Sequence, residues 1–336
     1  MKIRIGAAIL ALVALVAIYV ARSGPSVAPD FPTNTMISQQ SEVIIDIPNG
    51  STGSQIAQLL FANSIIKSAE AFFRVAVGDK RSETIAPGEH RISQNISARQ
   101  ALEQLLDADR IPNLIRIYEG GWKSEVVKAL TAYGFSDGEI SKAFSDAKLP
   151  QGFNQVEGLL FPAQYSFAKG TTATMAVQRM IDRFTSEPSA QQLLLGTKEF
   201  TPAQLLTIAS IVQAEGDQKD FAKVARVILN RLSIGMPLQM DSTVHFIKKI
   251  RGQIFLSTQS TLINSPYNTY RKYGLPPGPI GNPGVAAINA TLKPAVGNWL
   301  YFITVAPGDT RFTNTIDEFN TWKALYVKNR KAGAFK

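Results

Sequence analysis

The sequence predicts an α+β protein that carries a single transmembrane helix at its N-terminus. Short apolar runs typical of strands alternate along the chain with longer segments of helical periodicity. With 336 residues, 45% of them hydrophobic, the chain is long enough for about two domains with cores of their own. One uncharged apolar run, residues 5–21, stands near the first residue and supplies the predicted transmembrane helix.

Residues 1–22 are predicted to form a membrane anchor. The apolar run is at the short end of the length that crosses a hydrocarbon core of about 30 Å. Lys2 and Arg4 precede it and favour a cytoplasmic N-terminus, which leaves the rest of this single-pass protein outside the cytoplasmic membrane. A cleaved signal peptide is the alternative. It fits less well because its apolar core is usually about 7–15 residues long and no clear cleavage site follows.

A flexible linker at residues 23–41, rich in Ser, Pro, Thr and Asn, leads into a small α+β subdomain at residues 42–110. Alternation and periodicity predict the order strand, helix, helix, strand, helix, at residues 42–48, 54–61, 69–77, 84–92 and 97–106. Ser97 is a typical N-cap for the last helix. A small module of this order resembles LysM-like units, which bind N-acetylglucosamine polymers.

Residues 111–336 are predicted to form the second and larger unit. Its strands are expected at residues 113–118 and 299–305. Its helices are expected at residues 123–133, 137–147, 171–184, 201–215, 221–232 and 316–329. Residues 274–284 are dense in Pro and Gly and predict a rigid loop.

The helix at residues 201–215 carries the strongest candidate for catalysis. Thr201 and Gln204 have the spacing of a capping box at its start, and Gly216 ends it directly after Glu215. Apolar residues recur at intervals of three and four before Glu215, which places its carboxyl group on the apolar face of the helix.

This position has a chemical consequence for Glu215. Apolar surroundings and the negative end of the helix dipole both raise the pKa of a carboxyl group, which suits a general acid. The alternative is a glutamate that only closes the turn and pairs with Arg226 or Arg231.

Two tyrosines and two asparagines lie in and before the Pro- and Gly-dense loop, namely Tyr267, Asn268, Tyr270 and Asn282. Tyrosine rings stack on sugar faces, and amides bond hydroxyl and acetamido groups, so this composition suits a carbohydrate ligand. The alternative is a structural loop in which the tyrosines are buried.

Composition excludes several other classes of function. The formal net charge of +9 fits a polyanionic partner such as a wall polymer or anionic lipid, or simply favours solubility. Nucleic acid is not an expected partner, because no RNP motif or zinc-finger spacing is present. The chain has no cysteine and only two histidines, without metal-ligand spacing, so we expect no cofactor and no metal.

Several motifs together resemble the endolytic murein transglycosylase family (MltG, or YceG-like). They are EGLLFP at residues 157–162, ASIVQAE at 209–215, QMDST at 239–243, YNTY at 267–270 and GLPPGPI at 274–280. Gln213 stands where the family often has a first glutamate, which leaves Glu215 as the candidate catalyst.

The resemblance implies a mixed α/β YceG-like catalytic domain at residues 111–336, behind the anchor and the LysM-like subdomain. It implies cleavage of the β-1,4 bond between N-acetylmuramic acid and N-acetylglucosamine in nascent glycan strands, with 1,6-anhydro ends and with Glu215 as acid and base. The other candidates would bind or orient the sugars: Tyr267, Asn268, Tyr270, Asn282, Glu157 and Asp241. Peptidoglycan synthases and divisome proteins are implied as further partners.

Two other functions stay open on the sequence alone. A muramidase-type hydrolase would use Glu215 as acid and Asp241 or Glu157 as the second carboxylate. A non-catalytic scaffold would bind peptidoglycan without cutting it. Acyl transfer is not expected, because the chain has no GxSxG motif, no SxxK with its partner motifs and no cysteine.

Overall fold

The computed structural model describes residues 28–33, 41–251 and 256–335. The predicted anchor and most of the predicted linker lie outside these residues. Among the residues that it describes, no helix is both long and apolar enough to cross a membrane. The chain divides into two compact units. One contains the described residues up to Asn113 together with Ser166–Gly170, and the other contains Leu114–Tyr165 and the residues from Thr171 onward.

The first unit combines one antiparallel strand pair with three helices. β1 (Glu42–Ile47) pairs with β2 (Gly88–Ser93). The helices are α1 (Gly53–Ala62), α2 (Ala69–Gly78) and α3 (Ala98–Leu106). The predicted order of elements is confirmed, and so is Ser97 as the N-cap of α3, where its side chain accepts the N–H of Gln100.

The core of the first unit comes from the apolar faces of these elements. Leu60, Phe72, Ile92 and Leu102 have no exposed surface. Full burial of one such side chain stabilises a fold by about 1.5–3 kcal/mol. The three helices and both strands contribute apolar side chains to this core.

The second unit contains two strand pairs and a larger set of helices. β3 (Ile115–Ile117) pairs with β4 (Ala163–Tyr165), and β5 (Tyr301–Ala306) pairs with β6 (Asp309–Thr313). The helices are α4 (Lys123–Tyr133), α5 (Asp137–Ser145), α6 (Ala173–Ser186), α7 (Pro188–Leu194), α8 (Pro202–Glu215), α9 (Phe221–Ser233), α10 (Asp241–Lys248), α11 (Val285–Leu292) and α12 (Ile316–Lys331).

Helix α8 forms the centre of the second unit, in contact with α7, α9, α10 and α11. Its start is as predicted, with Thr201 and Gln204 in a capping box, and Glu215 is its last residue. The prediction of a single apolar face is wrong for residues 205–212, which are all buried. A helix that is apolar all round is enclosed on all sides, as α8 is here.

The sequence analysis did not identify β4, β6, α7, α10 or α11. The three helices have only seven or eight residues each, which is too short for a periodic pattern. Neither α10 nor α11 has a side-chain N-cap, since Met240 and Gly284 occupy those positions. Their starts therefore carry no local signal.

The loop at residues 274–284 packs closely on the segment after Val156. Gly158 has a φ of +91°, and a Cβ added there would lie 2.7 Å from atoms of the Pro279 ring. Asn282 also forms an antiparallel bridge with Gly121, in which the N–H of Asn282 donates to the carbonyl oxygen of Gly121 at 2.8 Å and the N–H of Gly120 donates to the carbonyl oxygen of Asn282 at 2.7 Å. These contacts fix the loop against two distant parts of the second unit.

Candidate active site

The carboxyl group of Glu215 lies where α8 meets α10. Its Oε1 accepts the backbone N–H of Ser242 at 3.0 Å. Ser242 is the second residue of α10, so the carboxyl group stands at the positive end of that helix. None of the ion pairs formed within the described ranges involves Glu215.

The two arginines considered as partners of Glu215 hold backbone groups instead. Arg231 donates to the carbonyl oxygens of Leu238 and Leu300. Arg226 donates to the carbonyl oxygen of Ala295 at 2.6 Å. The alternative of a glutamate neutralised in an ion pair therefore does not describe this structure.

The surroundings of Glu215 favour its protonated form. Burial raises the pKa of Glu215, and the negative charge of Asp241 adds to the rise. The hydrogen bond from Ser242 and the positive charge of Arg231 act in the opposite direction. Burial is the largest of these effects, so we expect a carboxyl group that keeps its proton closer to neutral pH, as a general acid requires.

Asp241 and Tyr270 form a hydrogen-bonded pair next to Glu215. The Tyr270 hydroxyl donates to Oδ1 of Asp241, which is the first residue of α10. Burial, and then the charge of Asp241, raise the pKa of Tyr270, so its hydroxyl stays protonated at neutral pH. The structure thus brings Glu215, Asp241 and Tyr270 together, because Asp241 directly precedes Ser242 and the N–H of Ser242 donates to Glu215.

Glu157 and Tyr267 lie together elsewhere in the second unit. Oε1 of Glu157 accepts the N–H of Lys123 at 2.9 Å, at the start of α4. The Tyr267 hydroxyl is hydrogen-bonded to Gln155, and its ring centroid lies 5.2 Å from that of Phe246. Tyr267 is only partly buried, so part of the residue remains open to solvent.

The pKa of Glu157 is raised to about 7, and burial is the main cause. The hydrogen bond from Lys123 and the charges of Lys249 and Lys123 oppose the rise, while the charge of Glu125 adds to it. Glu157 therefore takes up or loses a proton near neutral pH, which an ordinary exposed glutamate does not.

The raised pKa of Glu157 predicts a pH-dependent stability. Between about pH 4.5 and 7 the folded chain keeps a proton that the unfolded chain has lost, so the free energy of unfolding falls as pH rises through this window. In Glu157→Gln we expect that fall to shrink by up to about 3 kcal/mol. Urea unfolding at pH 5 to 8 measures this. Parallel curves for Glu157→Gln, wild type and the exposed control Glu199→Gln would contradict it.

Asn268 has no exposed surface. Its side-chain amide donates to the carbonyl oxygens of Thr261 at 2.9 Å and Ile263 at 2.7 Å, and its Oδ1 accepts the N–H of Tyr270 at 3.0 Å. The side chain thereby holds the backbone turn that presents Tyr270.

Asn282 is also completely buried. Its Oδ1 accepts the N–H of Leu160 at 2.9 Å, and its Nδ2 donates to the carbonyl oxygen of Gly121 at 2.7 Å. We therefore propose a structural role for Asn268 and Asn282 in place of the expected contact with sugar.

A pocket of about 660 Å³ opens beside Glu215. Its lining comes from the end of α8, the β5–β6 hairpin and the segment after α12: Ala214, Glu215, Gly216, Asp217, Thr304, Pro307, Gly308 and Phe335. Sequence reasoning missed Ser242, Thr304 and Phe335, because tertiary structure alone brings them to Glu215. Within the described ranges, no three His, Asp or Glu side chains are grouped so that they could hold a metal ion.

Two proteins named endolytic murein transglycosylase are similar to this chain. The endolytic murein transglycosylase of Bacillus subtilis is 30% identical over 314 residues, which cover 87% of this chain and 86% of that protein. The endolytic murein transglycosylase of Streptococcus pneumoniae (strain D39) is 32% identical over 182 residues, which cover 52% of this chain and 33% of that protein.

A solved structure and a family model agree with these relatives. The crystal structure of a YceG-like protein from Listeria monocytogenes aligns with a TM-score of 0.56 at 25% identity, over 84% of this chain and 99% of that one. The model of the YceG-like family matches residues 45–324. Because this match covers most of the sequence, the chain belongs to the YceG-like family.

Proposed function

We propose that this chain is a peptidoglycan lytic transglycosylase that cleaves the β-1,4 bond between N-acetylmuramic acid and N-acetylglucosamine and leaves 1,6-anhydro ends. The relatives named endolytic murein transglycosylase support the reaction class. The observation that carries the assignment of residues is the setting of Glu215: its carboxyl group forms no ion pair with any residue that the structure describes, burial raises its pKa, and it lines a pocket of about 660 Å³.

The reaction needs one carboxyl group that acts twice. Protonated Glu215 gives its proton to the glycosidic oxygen as the bond to C1 of the muramic acid breaks. The resulting carboxylate then takes the proton of the C6 hydroxyl, whose oxygen attacks C1 and closes the anhydro ring. Glu215 ends protonated as it began, and no water is consumed. The substrate supplies the nucleophile, so a second carboxylate at a set separation is not required.

Asp241 and Tyr270 are proposed to support Glu215. The negative charge of Asp241 raises the pKa of Glu215. The hydroxyl of Tyr270 fixes Asp241 at the start of α10, beside the N–H that bonds Glu215. Tyr267 and Glu157 remain proposed sugar-binding or orienting groups, since both are only partly buried.

The proposed membrane location and the proposed partners of this chain are inferred from its sequence. We propose that residues 1–22 anchor the chain in the cytoplasmic membrane and that the LysM-like subdomain and the catalytic domain act on its outer side. Nascent glycan strands are the proposed substrate, and peptidoglycan synthases and divisome proteins the proposed partners.

Product analysis tests the proposed reaction. Purified sacculi are digested with the full chain in detergent, and the released muropeptides are separated and weighed by mass spectrometry. We expect products that end in anhydro-muramic acid. Products one water molecule heavier, with reducing ends, would instead identify a muramidase-type hydrolase. Binding to sacculi without new chain ends would identify a scaffold.

A further inference from the structure

The pocket beside Glu215 has an aromatic side that the proposed mechanism does not use. Phe335 lines this pocket together with Glu215, Thr304 and Pro307. The ring of Tyr326, on α12, meets the ring of Phe335 edge to face, with centroids 5.4 Å apart and an interplanar angle of 65°. The side chain of Phe335 is only partly buried, so a ligand in the pocket can reach its ring, while Tyr326 supports that ring from outside the pocket lining.

A defined turn holds Phe335 in this position. After α12 the N–H of Gly333 donates to the carbonyl oxygen of Arg330, and the N–H of Ala334 to that of Asn329, both at 3.0 Å. Gly333 has a φ of +85°, which completes a Schellman motif. The turn reverses the chain, so that Phe335 comes back onto Tyr326.

The same part of the chain is hydrogen-bonded to the β5–β6 hairpin, which also lines the pocket. Nδ2 of Asn329 donates to the carbonyl oxygen of Val305 in β5 at 2.8 Å. The side chain of Lys219 donates to the carbonyl oxygen of Gly308, so that the β5–β6 turn is also joined to the segment after Glu215. These hydrogen bonds hold the end of α12, and with it the aromatic pair, against the β5–β6 hairpin.

Tyr326 is also close to the catalytic candidates. Its pKa is raised first by burial, and the charge of Asp241 contributes. Its hydroxyl is hydrogen-bonded to Arg330. Tyr326 therefore lies within range of the charge of Asp241. The match to the family model ends at residue 324, so both rings lie outside it.

The chemistry of the pocket indicates its ligand. One face of a pyranose ring presents C–H groups and packs on aromatic rings, whereas its edge presents hydroxyl groups. The pocket offers aromatic carbon at Phe335 and polar groups at Thr304, Asp217 and Glu215. We infer that the ring of Phe335, supported by Tyr326, forms a stacking surface for one sugar ring of the glycan strand, next to the bond that Glu215 would cleave. This inference rests on the proposed function.

The first test measures steady-state kinetics of the full chain in detergent on soluble, uncrosslinked glycan strands. In Phe335→Ala we expect KM to rise about tenfold, equivalent to about 1.4 kcal/mol, while kcat changes by less than about twofold. Tyr273→Ala is the matched control, because Tyr273 is a 74% exposed aromatic residue outside this pocket. An unchanged KM in Phe335→Ala, or a higher kcat/KM, would overturn the inference, the latter because the ring would then obstruct the site.

Three further variants distinguish stacking by a flat ring from general apolar contact and from loss of the fold. Phe335→Tyr should keep the wild-type KM, and Phe335→Leu should behave as Phe335→Ala, since leucine is apolar but has no flat ring. Gly333→Ala keeps Phe335 but strains the positive φ, so KM should rise while helix content stays unchanged. A wild-type KM in Phe335→Leu would overturn the stacking role.

A binding measurement distinguishes failure of this inference from failure of the proposed function. Glu215→Gln and the double variant Glu215→Gln, Phe335→Ala are compared for their affinity for the same soluble glycan strands by isothermal titration calorimetry. A loss of affinity in the double variant supports the stacking surface whatever the products of the wild type are. Equal affinity overturns it even if the wild type leaves anhydro ends.

Discussion

Replacement of Glu215 by glutamine is expected to lower the release of anhydro-muropeptides by about 10³-fold, within the range of about 10²–10⁴ for general acid–base catalysis. Glutamine has the same size, and its carbonyl oxygen still accepts the N–H of Ser242 that bonds Glu215 now. It has no proton to give to the glycosidic oxygen and cannot take one from the C6 hydroxyl. Both proposed steps therefore fail.

The measurement is the rate of appearance of anhydro ends from sacculi, together with the thermal unfolding midpoint. Glu215→Gln should unfold at the wild-type temperature or slightly above it, because the substitution removes a carboxyl group whose burial raises its pKa. Glu199→Gln serves as the control, since Glu199 is exposed and outside the pocket at Glu215. Substantial activity in Glu215→Gln would refute its assignment as the acid and base.

The position of Glu215 at the end of α8 could be predicted because the signals are local. Thr201 and Gln204 form the capping box that their spacing predicted, and the helix ends directly before Gly216. The partner of Glu215 could not be predicted in this way. Ser242 lies 27 residues further along and reaches Glu215 only because α10 packs against α8.

The composition of the aromatic and amide segment predicted the wrong surroundings for two side chains. Tyrosines and asparagines near a Pro- and Gly-rich loop suited a sugar site, but composition does not specify which way a side chain points. Asn268 and Asn282 point inward to bond backbone groups, whereas Tyr267 and Tyr270 are only partly buried. A loop with few regular hydrogen bonds needs such buried amides, because its backbone groups must find partners elsewhere.

For this reason Asn282→Ala should act on stability and leave substrate affinity alone. The substitution leaves the buried N–H of Leu160 without its acceptor. It also removes the hydrogen bond that the side chain of Asn282 donates to the carbonyl oxygen of Gly121. An unsatisfied buried group costs about 1–3 kcal/mol, so we expect the free energy of unfolding to fall by about 2–4 kcal/mol in total. Asn282→Asp keeps the acceptor for Leu160 but places a buried carboxyl group against the carbonyl oxygen of Gly121, so a larger loss than in Asn282→Ala is expected at neutral pH.

Urea unfolding and KM, measured on the same samples, separate the two possible roles of Asn282. A structural amide predicts a lower unfolding midpoint with KM close to wild type at a temperature where the variant is still folded. Asn264→Ala is the control, because Asn264 is exposed in the same stretch of chain and its loss should change neither quantity. If Asn282→Ala kept wild-type stability and raised KM, the amide would contact sugar after all. The loop would then have to open when substrate binds, because in this structure both polar atoms of the side chain are already bonded inside the protein.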